Sequence, residues 1–486
     1  MKSGVVDLLV IGGGINGAGI ARDAAGRGLS VLLVERADLA AATSSSSSKL
    51  IHGGLRYLEQ YEFRLVAEAL AEREVLLRTA AHLVWPARFV MPHVPELRSR
   101  WMIRLGLFLY DHLSRRSLLP GSRAVRLDQP PYASGLRKDL KHGFVYSDCR
   151  VDDARLVVAN ACDAAARGAR VLVRTECLSA RRVAGRWRAE LSNGETVAAR
   201  GIINAAGPWV KRVLNERLAQ PSEDAVRLVK GSHIVLPRLY QGEHAFILQN
   251  DDRRVVFMIP YQEHYTLIGT TDVPLEHEPE NAQPTSAEVD YLCRAAGRYL
   301  AKPPQAADVL WRYAGVRPLY DDGSADASSV TRDYTLRVDD DQGSSPVLSV
   351  FGGKITTYRK LAEHAMEKLA PYFPGMKGSW TARTPLPGSD FADREQAQSE
   401  FFLRYRGVPS EVLRQAFRRH GARAAEVLGD GDIGEHYGAG LTERELRYFV
   451  EREWAQTAED VLWRRTKAGL AMTEAQRARV AEAMGR

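Results

Sequence analysis

Cysteine is scarce: four in 486 residues, at positions 149, 162, 177 and 293, with no CxxC pair among them. That spacing excludes both a disulfide framework and a thiolate zinc site and leaves four reduced thiols inside a fold; no metal is expected. Also missing is any run near the ~18 apolar residues that a membrane-spanning helix requires. The opening MKSGVVDLLVIGGG has no basic region, apolar stretch and small-residue cleavage site in succession, so the expectation is an uncleaved cytoplasmic protein. Neither charge sign dominates: 67 Lys and Arg face 60 Asp and Glu, and the net +7 permits an anionic partner without naming one. Basic clusters such as RRVAGRWR at 181–188 form no ribbon interleaved with aromatics, so a nucleic acid is not an expected partner. What remains is the composition of an ordinary folded protein, 45% hydrophobic, at a length that calls for two or three domains.

The first chemistry lies in residues 5–36. An apolar run enters Gly12, Gly14 and Gly17, continues as a small-residue helix with Ala18, Ala21, Ala24 and Ala25, and returns as a second apolar run ending at Glu35. This is a βαβ unit with a dinucleotide fingerprint. Gly12 allows the tight turn, Gly14 removes a Cβ from the path of a pyrophosphate, and Gly17 lets helix and strand pack closely. The N–H groups of the helix start then face the anion, and Glu35 is placed to accept from an adenosine ribose. The fingerprint alone does not choose between NAD and FAD.

The next stretch, ATSSSSSKLIHGGLRYLE at 42–59, begins too soon after the ribose acid to be an interdomain linker. A serine run held at both ends supplies many hydroxyl donors with few steric demands, which suits a loop lying on a pyrophosphate or a ribityl chain. Two later segments repeat the pattern of strand, small residues and helix start: GIINAAGPW at 201–209 and SPVLSVFGGKITTYRKLAE at 345–363. Helix N-termini favour negative charge, as a reduced flavin carries. Glycine-rich turns in three separated segments fit a flavin domain assembled from distant pieces of chain.

Six motifs in order, GGGINGAG, ATSSSSSKLIHGGLRYLE, VDDARLV at 151–157, NAAGPW at 204–209, GVRPL at 315–319 and FGGKITTYRKLAE at 351–363, resemble those of the aerobic FAD-dependent glycerol-3-phosphate dehydrogenases. EDVLWRRTKAGL at 459–470 extends the resemblance into the C-terminal region. The resemblance implies FAD, sn-glycerol 3-phosphate as donor, dihydroxyacetone phosphate as product and a membrane quinone as acceptor. Short apolar runs separated by turn residues at 231–272 predict an antiparallel-sheet substrate domain, and charged helical patterns from about residue 388 a helical C-terminal domain, beside a Rossmann-like α/β FAD-binding domain of the glutathione-reductase and amine-oxidase type. The expected FAD-binding set is Gly12, Gly14, Asn16, Gly17, Glu35, Arg36, Thr43, Ser44, Ser47, Ser48, Lys49, Leu50, Cys177, Ala206, Gly207, Gly353 and Thr356. Oxidases similar to this family carry an inserted segment for which this chain has no room, which favours a dehydrogenase.

The expected boundaries are 1–85, 145–230 and 335–385 for the FAD domain, 86–144 and 231–334 for the substrate domain, and 388–486 for the helical domain. The TPLPGSD stretch at 384–390 is the expected linker. Oxidising a secondary alcohol needs a group that takes the hydroxyl proton while hydride leaves, and histidine suits the task near neutral pH. His52 is the first candidate and His233 the second. A phosphomonoester needs fixed cations, for which Arg56, Arg317 and Lys354 stand in glycine- or proline-flanked turns and Arg332 in SSVTRDYTL is a fourth candidate. Residues 98–117, RSRWMIRLGLFLYDHLSRRS, set an aromatic-rich apolar core between arginines. That pattern fits peripheral attachment to the inner face of the cell membrane as well as a buried helix. A homodimer is compatible with the sequence. Two rivals are an FAD-dependent amine or amino-acid oxidase of the same fold and, in another class, a flavoprotein that binds nucleic acid.

Overall fold

The computed structural model describes residues 4–94, 97–114, 118–224, 226–252, 254–321 and 333–485. The apolar runs that open the chain become β1 (Val6–Ile11) and β2 (Val31–Val34), joined by α1 (Ile15–Gly26). They are uninterrupted apolar runs rather than alternating ones because a parallel sheet is covered on both faces. The parallel core of this sheet runs Ser344–Phe351, Thr196–Asn204, β1, β2, Arg170–Leu172. Thr335–Asp341 adds an antiparallel edge, and the hairpin Cys177–Val183 with Arg186–Leu191 pairs with Thr196–Asn204. Since β2 lies on one side of β1 and the two later strands on the other, the order reverses at β1. A ligand crevice is expected outside the carboxyl ends there. Gly12, Glu35, Ala205 and Gly352 directly follow those strand ends.

Helix α1 can sit close because its sequence is small. A Cβ on Gly17 would stand 1.9 Å from the Gly12 carbonyl oxygen, and one on Gly19 would meet the Tyr358 ring at 2.7 Å.

A second sheet, ten-stranded among the described residues, stands beside the first. Its strands alternate as half-buried strands should. Ile234, Leu236, Phe246, Leu248, Val256, Met258 and Ile268 pack with Val289, Leu292 and Ala296 of the helix Ser286–Gly297. The intervening His233, Ile247, Val255 and Phe257 line a cavity on the other face. The sheet departs from the expected purely antiparallel one: Ala245–Gln249 pairs in parallel with Val84–Pro92. Its limits also depart from the expected domain limits. His142–Val151 and Leu50–Ile51 belong to it, so a boundary at 145 falls inside a strand, and Val226–Pro237 enters it before residue 231.

The last hundred residues are helical, with helices at Arg394–Arg404, Ser410–His420 and Glu443–Glu453 and a small hairpin at His436–Gly438 and Leu441–Thr442. They are not a loosely tethered unit, and residues 384–390 are not a free linker. Leu386 N donates to the Thr79 carbonyl at 2.7 Å, and buried Ser389 bonds His82 Nδ1 at 2.6 Å. Arg155 is buried against Glu453, its Nη2 donating to Oε1 at 2.9 Å, a cross-domain pair that neither segment's sequence announces. All four cysteines are free.

Candidate functional site

Between the two sheets lies a cavity of about 1010 Å³. Its floor is the crevice at the end of β1. Gly12 has φ +115°, and a Cβ there would lie 2.5 Å from the Ala205 carbonyl oxygen, so only glycine turns the chain at this point. A Cβ on Gly14 would meet nothing but the Ser44 hydroxyl, at 3.1 Å, which leaves its cavity side open for a ligand. Glu35 ends β2 with both carboxylate oxygens engaged by backbone donors, Gly13 N at 2.7 Å and Ala37 N at 2.8 Å. Each oxygen retains a lone pair for a further donor, and burial pushes this carboxyl up from its ordinary range against those two hydrogen bonds.

In the serine run Thr43, Ser44, Ser47 and Ser48 are each tied to a different partner. Ser44 Oγ accepts from Ile15 N at 2.9 Å, capping the start of α1, and Thr43 Oγ1 donates to the Val316 carbonyl at 2.6 Å. Ser47 Oγ bonds Asp153 at 2.7 Å, and Ser48 Oγ lies 2.9 Å from His233 Nε2. The run crosses the strand Trp311–Tyr320 at Gly315, where a Cβ would stand 2.5 Å from the Ser46 carbonyl oxygen.

Nearly all the expected cofactor residues border the one cavity: Gly12, Gly14, Asn16, Glu35, Arg36, Thr43, Ser44, Ser47, Ser48, Leu50, Cys177, Ala206, Gly207, Gly353 and Thr356. Gly17 lies behind it as a packing glycine. Lys49 needs a correction. Its ammonium does not reach the cavity but is buried against Asp153 at 2.8 Å and the Ser45 carbonyl at 2.8 Å, over the Tyr313 ring. Lys49 thus fastens the serine loop from beneath. The Cys177 thiol turns to the Ser179 carbonyl at 3.7 Å, and burial pushes it up to about 12, so it borders the cavity as an inert group. Arg36 stacks over Trp209 and reaches Glu280 at 3.2 Å, closing one end.

The catalytic candidates His52, Arg56, His233, Arg317 and Lys354 border the same cavity, whereas Arg332 lies outside the described residues. Burial, with a smaller contribution from Lys354, pushes His52 down to about 4; burial, then Lys49 and Arg317, pushes His233 to about 3. Both are neutral at pH 7 and able to accept a proton. They differ in their surroundings. His233 is hydrogen-bonded to Ser48 and stacked on Tyr313 at 4.8 Å between centroids. His52 is held through its backbone, by Thr356 Oγ1 at 3.3 Å, and among the described residues no group bonds its ring nitrogens. His52 precedes the 3-10 helix Leu55–Gln60, which carries Arg56. Arg56, on that helix, has no hydrogen bond or ion pair with any described residue. Arg317 is braced by Asp272, Thr270 and Thr271, and Lys354 lies 4.0 Å from the centre of the Tyr57 ring.

The residues present fit FAD by their own chemistry. The cavity suits a dinucleotide and its glycines leave the floor open; among the described residues buried Asn16 Oδ1 has no partner, and Arg56, which also borders the cavity, has no counter-ion. Trp311, Tyr313 and Trp463 were not anticipated as cavity walls. The first two were findable, since alternation along WRYAGVRPLY puts 311, 313, 315 and 317 on one face.

Residues 7–359 match the family described as FAD dependent oxidoreductase, and residues 379–486 match the C-terminal domain of alpha-glycerophosphate oxidase. The chain is 50% identical to an aerobic glycerol-3-phosphate dehydrogenase of Escherichia coli K12, over 98% of this chain and 96% of that one. It is also 50% identical to a D-erythritol 1-phosphate dehydrogenase of Brucella abortus, over 98% and 97%. A glycerol-3-phosphate dehydrogenase of Bacillus halodurans, solved with FAD, superposes with a TM-score of 0.73 at 28% identity, covering 100% of this chain and 95% of that one.

Proposed function

Because the chain belongs to the family of FAD-dependent glycerol-3-phosphate dehydrogenases, we propose that it oxidises sn-glycerol 3-phosphate to dihydroxyacetone phosphate and passes the electrons to a membrane quinone. Bound FAD would supply the two-electron acceptor for the hydride of the carbinol carbon and the donor to the quinone. The glycine turns at 12, 14, 207 and 353, with the serine wall, bind it. Arg56, Arg317 and Lys354 hold the donor's phosphate; an uncompensated guanidinium and a braced one together supply both attraction and direction. His52 takes the hydroxyl proton on a ring nitrogen. Both histidines are neutral, and the freedom of the His52 ring nitrogens from described protein partners supports it over His233, whose Nε2 is already engaged.

The observation that carries this proposal is that neutral His52 and Arg56, a cation without a partner among the described residues, border the same cavity as the braced Arg317. It is tested by mixing the holoenzyme anaerobically with sn-glycerol 3-phosphate, D-erythritol 1-phosphate or glycine and following the flavin bands. Rapid bleaching by glycerol 3-phosphate is expected. Preference for the four-carbon phosphate, which the Brucella relative brings into question, would revise the donor, and bleaching by glycine alone would replace the proposal with an amino-acid oxidase.

Attachment to a membrane surface rests on the helix Arg100–His112. Ile103, Leu107 and Tyr110 are buried, while Trp101, 67% exposed, and Met102, Leu105 and Phe108 face solvent on the opposite side. Exposed Tyr61 and Leu118 add to the apolar surface, and Arg98, Arg100 and Arg104 supply the basic flank at one end. An aromatic-bearing stripe with arginines beside it suits the headgroup region of an anionic leaflet. No described helix is long and apolar enough to cross a membrane.

A further inference from the structure

The C-terminal domain enters the cofactor cavity. Glu459, Trp463, Arg464 and Lys467 border it, and all lie in or beside the π-helical turn Asp460–Arg465, a helix type that tends to occur at functional positions. The turn is locked to the dinucleotide domain. Asp38, three residues past the ribose acid and 1% exposed, accepts from Arg464 Nε at 2.6 Å and from two nitrogens of Arg465 at 2.7 Å each. Arg174 reaches Asp460 at 2.8 Å, and Trp463 stacks on Trp311 at 4.9 Å.

Within this frame Lys467 is out of balance. It is 7% exposed, and its ammonium donates to the Trp463 carbonyl, yet among the described residues no carboxylate comes within 4.0 Å of it. The charges that face it are Lys49 and Arg464 on one side and Asp152 and Asp153 on the other. Asp153 is already taken by Lys49 and Ser47, and Arg464 by Asp38 and Asp460. Burial and Lys49 together push Lys467 down to about 8, so it remains largely charged at neutral pH. Asp153 and Asp152 attract it from a distance, but a buried ammonium with no carboxylate in contact is costly to a fold unless a ligand supplies opposite charge nearby. The cavity it borders takes an anionic cofactor.

We propose that Lys467 is a cofactor contact, the counter-charge that the C-terminal domain brings to an anionic group of FAD. This rests on the FAD assignment and is independent of which polyol phosphate is the donor. Lys467→Met is predicted to raise the FAD dissociation constant about tenfold or more, the scale of one charge-assisted hydrogen bond, measured by ultrafiltration of stripped and reconstituted protein. The apoprotein should not lose stability: its Tm should equal or exceed that of the parent apoprotein, since an uncompensated buried charge has gone, while the gain in Tm on adding FAD shrinks. Lys467→Arg, which keeps the charge, should bind FAD within a few-fold of the parent. A lowered flavin midpoint potential in the Met variant would assign the contact to the reduced ring, and an unchanged potential to the pyrophosphate. An FAD dissociation constant within twofold of the parent overturns the proposal. So does weaker binding accompanied by a lower apoprotein Tm, which marks Lys467 as structural only.

Discussion

Tyr110 joins the solvent-facing helix to the proposed base. It lies on the buried side of Arg100–His112, opposite Trp101, Leu105 and Phe108. Its hydroxyl accepts from Gly53 N at 2.8 Å and donates to Asp148 Oδ2 at 2.7 Å. Asp148 is in turn paired with Arg73 at 2.8 Å. Tyr110→Phe leaves Gly53 N with only Asp148 Oδ1 at 3.4 Å, beyond good hydrogen-bond length. Losing a buried bond of this kind costs about 1.5–3 kcal/mol. At ~2–4 °C per kcal/mol for a sizeable domain, Tm should fall by roughly 3–12 °C, towards the low end in a chain this long. The kinetic effect follows from the neighbour. Gly53 adjoins His52, and a displacement of ~1 Å at a reacting group can cost ~10²-fold in rate. The loop is tightly packed, since a Cβ on Gly53 would lie 2.5 Å from Leu70, and this restrains the drift. We therefore predict a fall of about tenfold in the stopped-flow rate of flavin reduction at saturating donor, with little change in donor affinity. A reduced Tm with a reduction rate within twofold of the parent would show that Tyr110 does not position His52. An unchanged Tm would mean that the hydrogen bond contributes nothing.

His52→Ala should lower the reduction rate by roughly 10²–10⁴-fold with donor binding nearly intact, as removal of a general base does; a loss of only a few-fold would transfer the role to His233 or water. Arg56→Ala should instead raise KM for glycerol 3-phosphate most, through loss of about 1.5–3 kcal/mol per charge-assisted bond, and an unchanged KM would exclude Arg56 from the phosphate site. His52 titrates near 4 in the fold against 6.5 when free, so between those values the unfolded chain holds the extra proton and His52's contribution to stability is lost as pH falls. Removing the cation in Lys354→Met should raise that pKa and move the acid limb of flavin reduction to higher pH, and an unmoved limb would show that Lys354 does not act on His52. Gly14→Val should give folded, colourless protein, because the open side of Gly14 meets only a movable hydroxyl of the protein, and full flavin occupancy would refute the pyrophosphate path. Trp101, Leu105 and Phe108 changed together to Ser should release the protein from anionic vesicles with dye-linked turnover intact; unchanged co-sedimentation would remove that helix from the membrane role.

Local pattern carried most of this architecture, and the failures share one cause. The βαβ start was legible because parallel strands must be apolar throughout and a pyrophosphate needs glycine at fixed offsets. The alternation that separates helix-facing from cavity-facing residues in 231–272 could also have found Trp311 and Tyr313 beside Arg317. Lys49 was misplaced because its partner, Asp153, is 104 residues away and nothing near the serine run signals it. The linker at 384–390 was misread for the same reason, as its proline, glycine and serine look permissive until Thr79 and His82 are set against them. Charged residues that pair across the fold carry little local signature, because the pairing is written in two places at once. The same physics makes the C-terminal arginines informative once placed. Arg464 and Arg465 would be costly buried singly, and both pair with Asp38, so the domain that carries them is fixed against the loop that follows Glu35. A domain held there by three short hydrogen bonds to one carboxylate cannot move without moving that loop, which places residues 459–467 and the cofactor cavity in one mechanical unit.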